Sequence, residues 1–200
     1  MAIATLGDLK TSVASWLKRG DLTASITDFI SLAEARIARD LRLQSQITST
    51  DLATVANTAA VSLPALWLET LSAELVGFGT LESVATDSAE NTWGTDTGRP
   101  RQMAPRGTTL ALYPTPDAVY TLRLLYYQRF ALSGDSATNW LLTNHPGIYL
   151  YATLAEAEPF LMNDARVATW ETKYQFERDG LKAADQNARF SGATLRTVTR

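Results

Sequence analysis

The sequence predicts an α+β protein, in which a helical bundle is built from N-terminal and C-terminal helix pairs and carries an inserted β-rich lobe. Apolar residues recur at helical spacing up to about residue 45 and again over residues 139–190. Residues 46–138 are instead rich in Thr, Ser and Gly, with short segments bounded by Pro and Gly. We therefore expect a bundle formed by residues 1–45 and 139–190, an insertion at 46–138 and a C-terminal arm at 191–200.

Two helices are predicted at the N-terminus. Thr5 with Asp8 three residues later indicates a capping box, and Gly20 with Asp21 ends the helix that follows. A second helix is predicted from about residue 25 to residue 43. Its apolar face carries Ile26, Phe29, Ile30, Ala33, Ile37 and Leu41, and three arginines lie off that face: Arg36, Arg39 and Arg42. The chain thus begins with a helix pair.

The middle of the chain predicts strands. The best candidates are residues 71–78, 102–105, 108–113 and 119–129. The last of these has apolar residues on both faces, which predicts either an interior strand or a strand with one face covered by a neighbour. Arg106 and Gly107 fit a tight turn, and residues 114–117 predict a rigid turn. Residues 87–98 are polar and contain glycine, which predicts an exposed loop that carries Trp93.

A second helix pair is predicted near the C-terminus. Asn144 or His145 can cap its first helix, and Pro146 suits the first turn. Apolar and small residues then occupy nearly every side of that helix, so it needs neighbours on several sides. Asp164 is expected to cap the next helix, which has a packing seam broken at Glu177. The seam residues are Val167, Trp170, Tyr174, Leu181, Ala184 and Ala188.

Composition excludes several classes of partner. With 18 basic and 21 acidic side chains, the net charge is −3 and offers no general attraction for DNA or anionic membranes. No cysteine is present, so disulfides and thiolate metal sites are excluded. The N-terminus does not resemble a signal peptide, and no apolar run approaches the roughly 18 residues of a membrane span. We expect a soluble, intracellularly made protein.

Catalytic motifs are absent from the sequence. The single histidine, His145, is interpreted as a cap or loop residue rather than a general base, and no Gly-x-Ser-x-Gly elbow or Gly-Lys pair occurs. Glu156 and Glu158 are two residues apart on a helix and point in different directions. We therefore predict no enzyme, no cofactor and no metal. A hydrolase with carboxylates from distant positions is the remaining catalytic hypothesis.

Two features suggest contacts with partners. Arg36, Arg39 and Arg42 form a stripe that could touch phosphates, although Glu34 and Asp40 interrupt it, and a solvated or subunit-facing helix edge is the favoured interpretation. After Phe190 the chain is either a frayed terminus or an arm that orders on a partner. The arm would use Leu195, Arg196 and Val198.

Motifs in the first part of the chain resemble one known family. They are residues 6–10 (LGDLK), 16–17 (WL), 29–37 (FISLAEARI) and 39–42 (RDLR). Further motifs follow in the middle of the chain, at 63–64 (LP), 67–69 (WLE), 98–100 (GRP), 113–117 (YPTPD) and 125–127 (LYY). The last ones are 139–142 (NWLL), 145–151 (HPGIYLY), 170–171 (WE) and Tyr174. In this order they resemble the head–tail adaptor, or head-completion, proteins of tailed bacteriophages. Residues 87–98 and the last ten residues match least.

The resemblance implies a structural connector without catalysis. Such adaptors dock as a ring of about twelve copies onto the portal after DNA packaging, extend the DNA channel and provide the surface to which the tail attaches. It implies the portal protein, tail or nozzle or tail-fibre proteins and ring neighbours as partners. DNA would pass without specific binding, and no membrane would be contacted.

The resemblance also implies a place and a set of contacts. The protein would be made in the cytoplasm of a bacterial host and reside in the virion, at the head–tail junction. The expected interface residues are Arg36, Arg39, Arg42, Trp93, Phe190, Leu195, Arg196 and Val198. The alternative function is a DNA-associated head or packaging accessory protein, which the arginine stripe would support.

Overall fold

The computed structural model describes residues 3–161 and 164–191, except for the side chains of residues 164 and 165. Within these residues the protein is α+β, with six α-helices and three sheets. The helices are α1 (Leu6–Leu17), α2 (Thr23–Asp40), α3 (Thr86–Trp93), α4 (Trp140–Asn144), α5 (Pro146–Ala157) and α6 (Asp164–Phe190), with a 3-10 turn at Gln44–Gln46. The strands are β1 (Ile47–Ala53), β2 (Ala60–Ser62), β3 (Trp67–Leu75), β4 (Gly79–Thr80), β5 (Glu82–Ser83), β6 (Thr97–Gly98), β7 (Gln102–Arg106), β8 (Thr109–Tyr113), β9 (Thr115–Pro116) and β10 (Thr121–Gln128).

The chain divides into two compact units. A helical unit comprises Met1–Ser45 and Phe130–Arg200, and a β unit comprises Gln46–Arg129. Residues 130–138 therefore belong to the helical unit, whereas the sequence analysis assigned them to the insertion 46–138. The physical reason is that Phe130 and Leu132 pack in the helical core, and the N–H of Leu6 donates to the carbonyl of Ala137.

The ends of α1 and α2 follow from local residues. The Thr5 side chain accepts from the Asp8 N–H, and the Asp8 carboxylate accepts from the Thr5 N–H, which confirms the predicted capping box. The first helix ends at Leu17 because Lys18 adopts a left-handed conformation with φ 53°. The second ends at Asp40, before the predicted residue 43, because Leu41 is already extended.

Helix α5 lies at the centre of the helical core. It packs against α1, α2, α4 and α6, and this explains why apolar residues surround it. The sequence predicts that a helix begins here, with Asn144 or His145 as its cap. The structure instead has the short helix α4 first, capped by the Asn139 side chain, which accepts from the Leu142 N–H. Pro146 occupies the first turn of α5, as predicted, but His145 makes no side-chain cap bond.

The seam of α6 is covered along part of its length. Tyr174 and Leu181 are buried, and Val167, Trp170 and Glu177 are half-buried. The last two predicted seam residues, Ala184 and Ala188, are exposed.

The β unit is built from three sheets around its own core. The strand orders are β1-β10-β3-β4, β2-β8-β7-β5 and β6-β9. Strand β10 pairs with β1 on one side and β3 on the other, which confirms the predicted interior strand. The predicted exposed loop at residues 87–98 is wrong, because residues 86–93 form α3 and Trp93 is half-buried. Its start lacked a sequence signal, since Ala85 offers no capping side chain.

Candidate interaction surfaces

Arg36, the first residue of the predicted arginine stripe, is held in an internal ion-pair network. Its Nη2 lies 2.5 Å from both carboxylate oxygens of Glu171, its Nη1 lies 3.4 Å from Glu156, and its Nε lies 4.0 Å from Asp40. The guanidinium also lies over the Tyr174 ring, 4.4 Å from its centroid. With its side chain 17% exposed, Arg36 is committed to these partners, and the structure does not support an open phosphate contact.

The network changes the acidity of its members. The hydrogen bond from Arg36 is the largest cause that lowers the pKa of Glu171 below its usual range. Burial raises the pKa of the Tyr174 hydroxyl, and its 2.9 Å hydrogen bond to Asp40 raises it further. At neutral pH we therefore expect an ionised carboxylate and a neutral phenol at this site.

The other two arginines of the stripe have different environments. The Arg39 side chain is 75% exposed, with its Nε 3.5 Å from the Asp40 carboxylate. Arg42 donates from Nη1 to the carbonyls of Ala38 at 2.6 Å and Leu41 at 2.8 Å. A cation at this position satisfies carbonyls that the end of α2 leaves without partners. The structure therefore does not present the three residues as one phosphate-binding stripe.

An apolar groove lies in the helical unit, and we call it the α4–α6 groove. Its volume is about 370 Å³, and it is lined by Gln44, Ser45, Trp140, His145, Leu181, Ala184, Asp185 and Ala188. Trp140 is 41% exposed, and its ring stacks on Phe130 at a centroid separation of 6.2 Å. His145 is a second ring neighbour of Trp140, and the centroids of the two rings are 5.4 Å apart. His145, which the sequence predicts to be a cap or loop residue and not a general base, thus forms part of the groove wall.

The helical unit also exposes several large apolar side chains outside this groove. Phe190, a predicted interface residue, is the last residue of α6 and is 72% exposed. Phe176 is 78% exposed and Phe160 is 58% exposed, and the sequence analysis named neither. The signal for Phe176 was present in the sequence, because this aromatic residue falls outside the seam of its helix. The other predicted arm residues, Leu195, Arg196 and Val198, lie outside the described residues.

Trp93, the predicted interface residue of the β unit, packs inward. Its indole N–H donates to the Gln102 side chain at 2.7 Å, and its ring packs against a small cluster. That cluster comprises Ala89, Ala104, Ala111 and Tyr113. Trp93 therefore stabilises the packing of α3 on β7 and β8, and it is not an exposed anchor.

One end of the β unit exposes an apolar patch, which we call the β tip. It comprises Val55, Val76, Phe78 and Val119. Phe78 is 56% exposed and Val119 is 70% exposed. Their segments come together near the start of β10, where the Val76 N–H donates to the Thr121 carbonyl and the Phe78 ring lies 5.7 Å from that of Tyr120. Arg99 lies over the Phe78 ring at 5.0 Å. Exposed apolar patches of this kind mark interaction sites more often than single exposed residues do.

A polar pocket of about 360 Å³ also opens in the β unit. Glu90 accepts from Arg106 and, at 3.4 Å, from the Tyr113 hydroxyl. Over residues 3–161 and 164–191, no group of three or more His, Cys, Asp or Glu residues is arranged to hold a metal ion. In the same part of the chain, no helix is long and apolar enough to cross a membrane.

Comparisons with known proteins give the family. A comparison with curated proteins found no match. The model for the SU10 adaptor protein matches residues 4–198, so that both units lie almost entirely within the match. The match therefore extends over the helical core, the α4–α6 groove and the β tip. The chain belongs to the SU10 adaptor protein family and is a phage head–tail adaptor.

Proposed function

We propose that this phage adaptor is a non-catalytic connector that docks as a ring onto the portal after DNA packaging. It extends the DNA channel and provides the attachment surface for the tail. The observation that carries the proposal is that each unit exposes its own set of large apolar side chains. Phe176, Phe190 and Trp140 are exposed in the helical unit, and Phe78 and Val119 in the β unit. A connector needs at least two such surfaces, one for each structure that it joins.

The two surfaces have different roles in this proposal. The N-terminal and C-terminal helix pairs act as one bundle that contacts the portal, with Phe190 and the C-terminal arm at residues 191–200 as its anchors. The β tip contacts tail, nozzle or tail-fibre proteins. Phe78 supports this assignment because Arg99 covers one side of its ring while 56% of the residue stays exposed. Aromatic residues in such positions frequently dominate the energy of an interface.

Ring formation on the portal leads to a prediction for the free protein. Each subunit of a ring contacts its two neighbours through two different surfaces. A single contact of this kind can be weak when the subunits are free in solution. About twelve copies on a preformed portal ring then gain from a high effective concentration. We expect the free protein to be a monomer or a small oligomer until the portal is present. DNA passes through the channel without specific binding, in keeping with a net charge of −3.

The alternative, a DNA-associated head or packaging accessory, loses its main support. Arg36 pairs with Glu171 and Glu156, and Arg42 donates to two carbonyls at the C-terminal end of α2. Within the stripe, this leaves Arg39 to supply one phosphate contact, and a single contact contributes little binding at physiological salt. We therefore propose the connector and not the accessory.

Two variants, one for each surface, test the proposal by co-sedimentation with purified portal and tail. Deletion of residues 191–200 is expected to leave the thermal unfolding midpoint unchanged and to abolish ring formation on the portal. Phe78→Ser with Val119→Ser is expected to bind the portal as the wild type does, and to lose recruitment of the tail. Normal assembly after the deletion would refute the arm, and normal tail recruitment by the double variant would refute the β tip.

A further inference from the structure

The apolar seam of α6 continues beyond the point at which other described residues of the helical unit cover it. Leu181 is buried, but Ala184 and Ala188, which continue its line, are exposed and line the α4–α6 groove. The facing wall is Trp140, which is 41% exposed. A groove of about 370 Å³ between an indole ring and an alanine-lined helix has room for one or two aliphatic side chains.

The chain continues directly from the mouth of this groove. Ala188 lines the groove, and α6 ends two residues later at Phe190. The nine residues that follow Ser191 include two larger aliphatic side chains, Leu195 and Val198, spaced three apart. No other apolar residue larger than alanine occurs there. The segment thus carries as many anchors as the groove can accept.

The length of the segment is sufficient for it to turn back along its own helix. From Ser191 back to Leu181 the helix rises about 15 Å, at about 1.5 Å per residue. An extended segment of seven residues, from Ser191 to Val198, reaches up to about 25 Å. Val198 can therefore lie beside Leu181 with chain to spare for the reversal. Leu195, four residues from Ser191, reaches up to about 14 Å, which exceeds the about 10 Å back to Ala184.

A segment of the same chain has an advantage over any partner in dilute solution. A short tether holds the segment near the groove at an effective concentration on the order of millimolar. A second copy of the chain at micromolar concentration competes poorly with the tethered segment for the groove. In dilute solution, the tethered segment is therefore favoured over a second copy as an occupant of the groove.

We propose that in the free protein residues 192–200 fold back and occupy the α4–α6 groove of the same chain, with Leu195 and Val198 as the anchors. The docked segment covers Ala184, Ala188 and the exposed face of Trp140. It also withholds the arm from other partners until the portal competes for it. This inference concerns the free protein and does not depend on ring formation.

The docked and undocked states are expected to be similar in free energy. Burial of two aliphatic side chains favours docking, and the loss of backbone freedom in the segment opposes it by a comparable amount. A change in overall stability is therefore a poor readout. A trapping experiment suits this equilibrium, and the chain has no cysteine to interfere with one.

The experiment compares two double-cysteine variants of the full chain. One pairs Ala184→Cys with Thr197→Cys, and its control pairs Ala183→Cys with Thr197→Cys. Ala183 is exposed and adjacent in sequence, but its side chain points about 100° around the helix from that of Ala184. Both pairs keep Leu195 and Val198, and both have nearly the same tether length, so random collisions of a tethered segment contribute equally to the two rates.

The proposal predicts that the Ala184 pair forms an intramolecular disulfide about tenfold faster than the Ala183 pair under mild oxidation, and that the product migrates as a monomer. In the Ala184 pair, Leu195→Ser with Val198→Ser is expected to remove this excess, because both anchors are lost. Equal rates for the two pairs, or disulfide-linked dimers as the main product at micromolar protein, would overturn the proposal. Neither result bears on the ring, because no portal is present.

Discussion

The two halves of α6 have the same apolar periodicity but very different surroundings. In the first half, Tyr174 is fully buried and bonds to Asp40, and Glu171 pairs with Arg36. In the second half, Ala184 and Ala188 are exposed, and the helix ends at Phe190, which is 72% exposed. The comparison teaches that a continuous seam can stabilise the fold at one end and remain available for docking at the other.

The largest difference between the halves is expected at Tyr174. Tyr174→Ala removes a fully buried ring and leaves the Asp40 carboxylate without this donor. We expect a loss of about 3–5 kcal/mol in the free energy of unfolding, measured by urea denaturation. Phe176→Ala is the matched control, because that ring is 78% exposed and its removal is expected to cost about 0.5 kcal/mol or less. A loss for Tyr174→Ala as small as that expected for Phe176→Ala would contradict the burial of Tyr174 in the core.

Arg36 provides the next largest effect. Arg36→Ala leaves Glu156 and Glu171 without their half-buried cation, and we expect a loss of about 2–3 kcal/mol. Arg39→Ala, on the same helix, removes a side chain that is 75% exposed and should cost about 0.5 kcal/mol or less. Chemical denaturation at pH 7 measures both. Similar small losses would mean that the network adds little to stability and that Arg36 is available to other partners.

The network also predicts a smaller, pH-dependent effect. The pKa of Glu171 is lowered from its usual 4.5 in the folded state, chiefly by the hydrogen bond from Arg36. Its contribution to stability is therefore fully present above about pH 4.5 and is lost as the pH falls through the lower folded-state pKa. Glu171→Gln should make the acid side of the stability profile flatter, as measured by urea midpoints between pH 6 and pH 3, about the range that the shift affects. A profile parallel to that of the wild type would contradict this assignment.

The smallest effect on stability is expected at the end of the helix. Phe190→Ala removes a ring that is 72% exposed, and we expect a change of about 0.5 kcal/mol or less in the free energy of unfolding. Binding to the portal should nevertheless weaken about tenfold or more, because exposed aromatic residues are frequent interface anchors. Asn187→Ala, three residues earlier and also exposed, is the control and should leave portal binding unchanged. Unchanged binding by the Phe190 variant would remove this residue from the proposed interface.

Periodicity and caps predicted much of the fold. The capping box of Thr5 and Asp8, the central strand β10 and the all-round burial of α5 follow from local pattern and were predicted from the sequence. Strand β1 was missed because its alternating Thr and Ser residues carry almost no apolar signal. Helix α3 was missed because its N-cap position holds Ala85, which has no hydrogen-bonding side chain.

The candidate surfaces were less predictable than the elements. The three arginines of the stripe have helical spacing in the sequence, but two of the three carboxylates beside Arg36 come from α5 and α6, more than 100 residues away in the chain. No local pattern contains that information. Trp93 was predicted to lie on an exposed loop. Its sequence neighbours do not reveal that most of the residues that receive its side chain, Gln102 among them, belong to strands β7 and β8. The β tip was missed because its residues come from separate segments of the chain, which only the folded β unit brings together.

Electron microscopy of the protein mixed with its purified portal tests the central claim most directly. The account predicts a closed ring of added density on the portal, coaxial with the DNA channel, and no such ring from the protein alone. An imaged portal without added density, under conditions where the protein is folded and in excess, would contradict the proposal that this adaptor is a portal-docking connector.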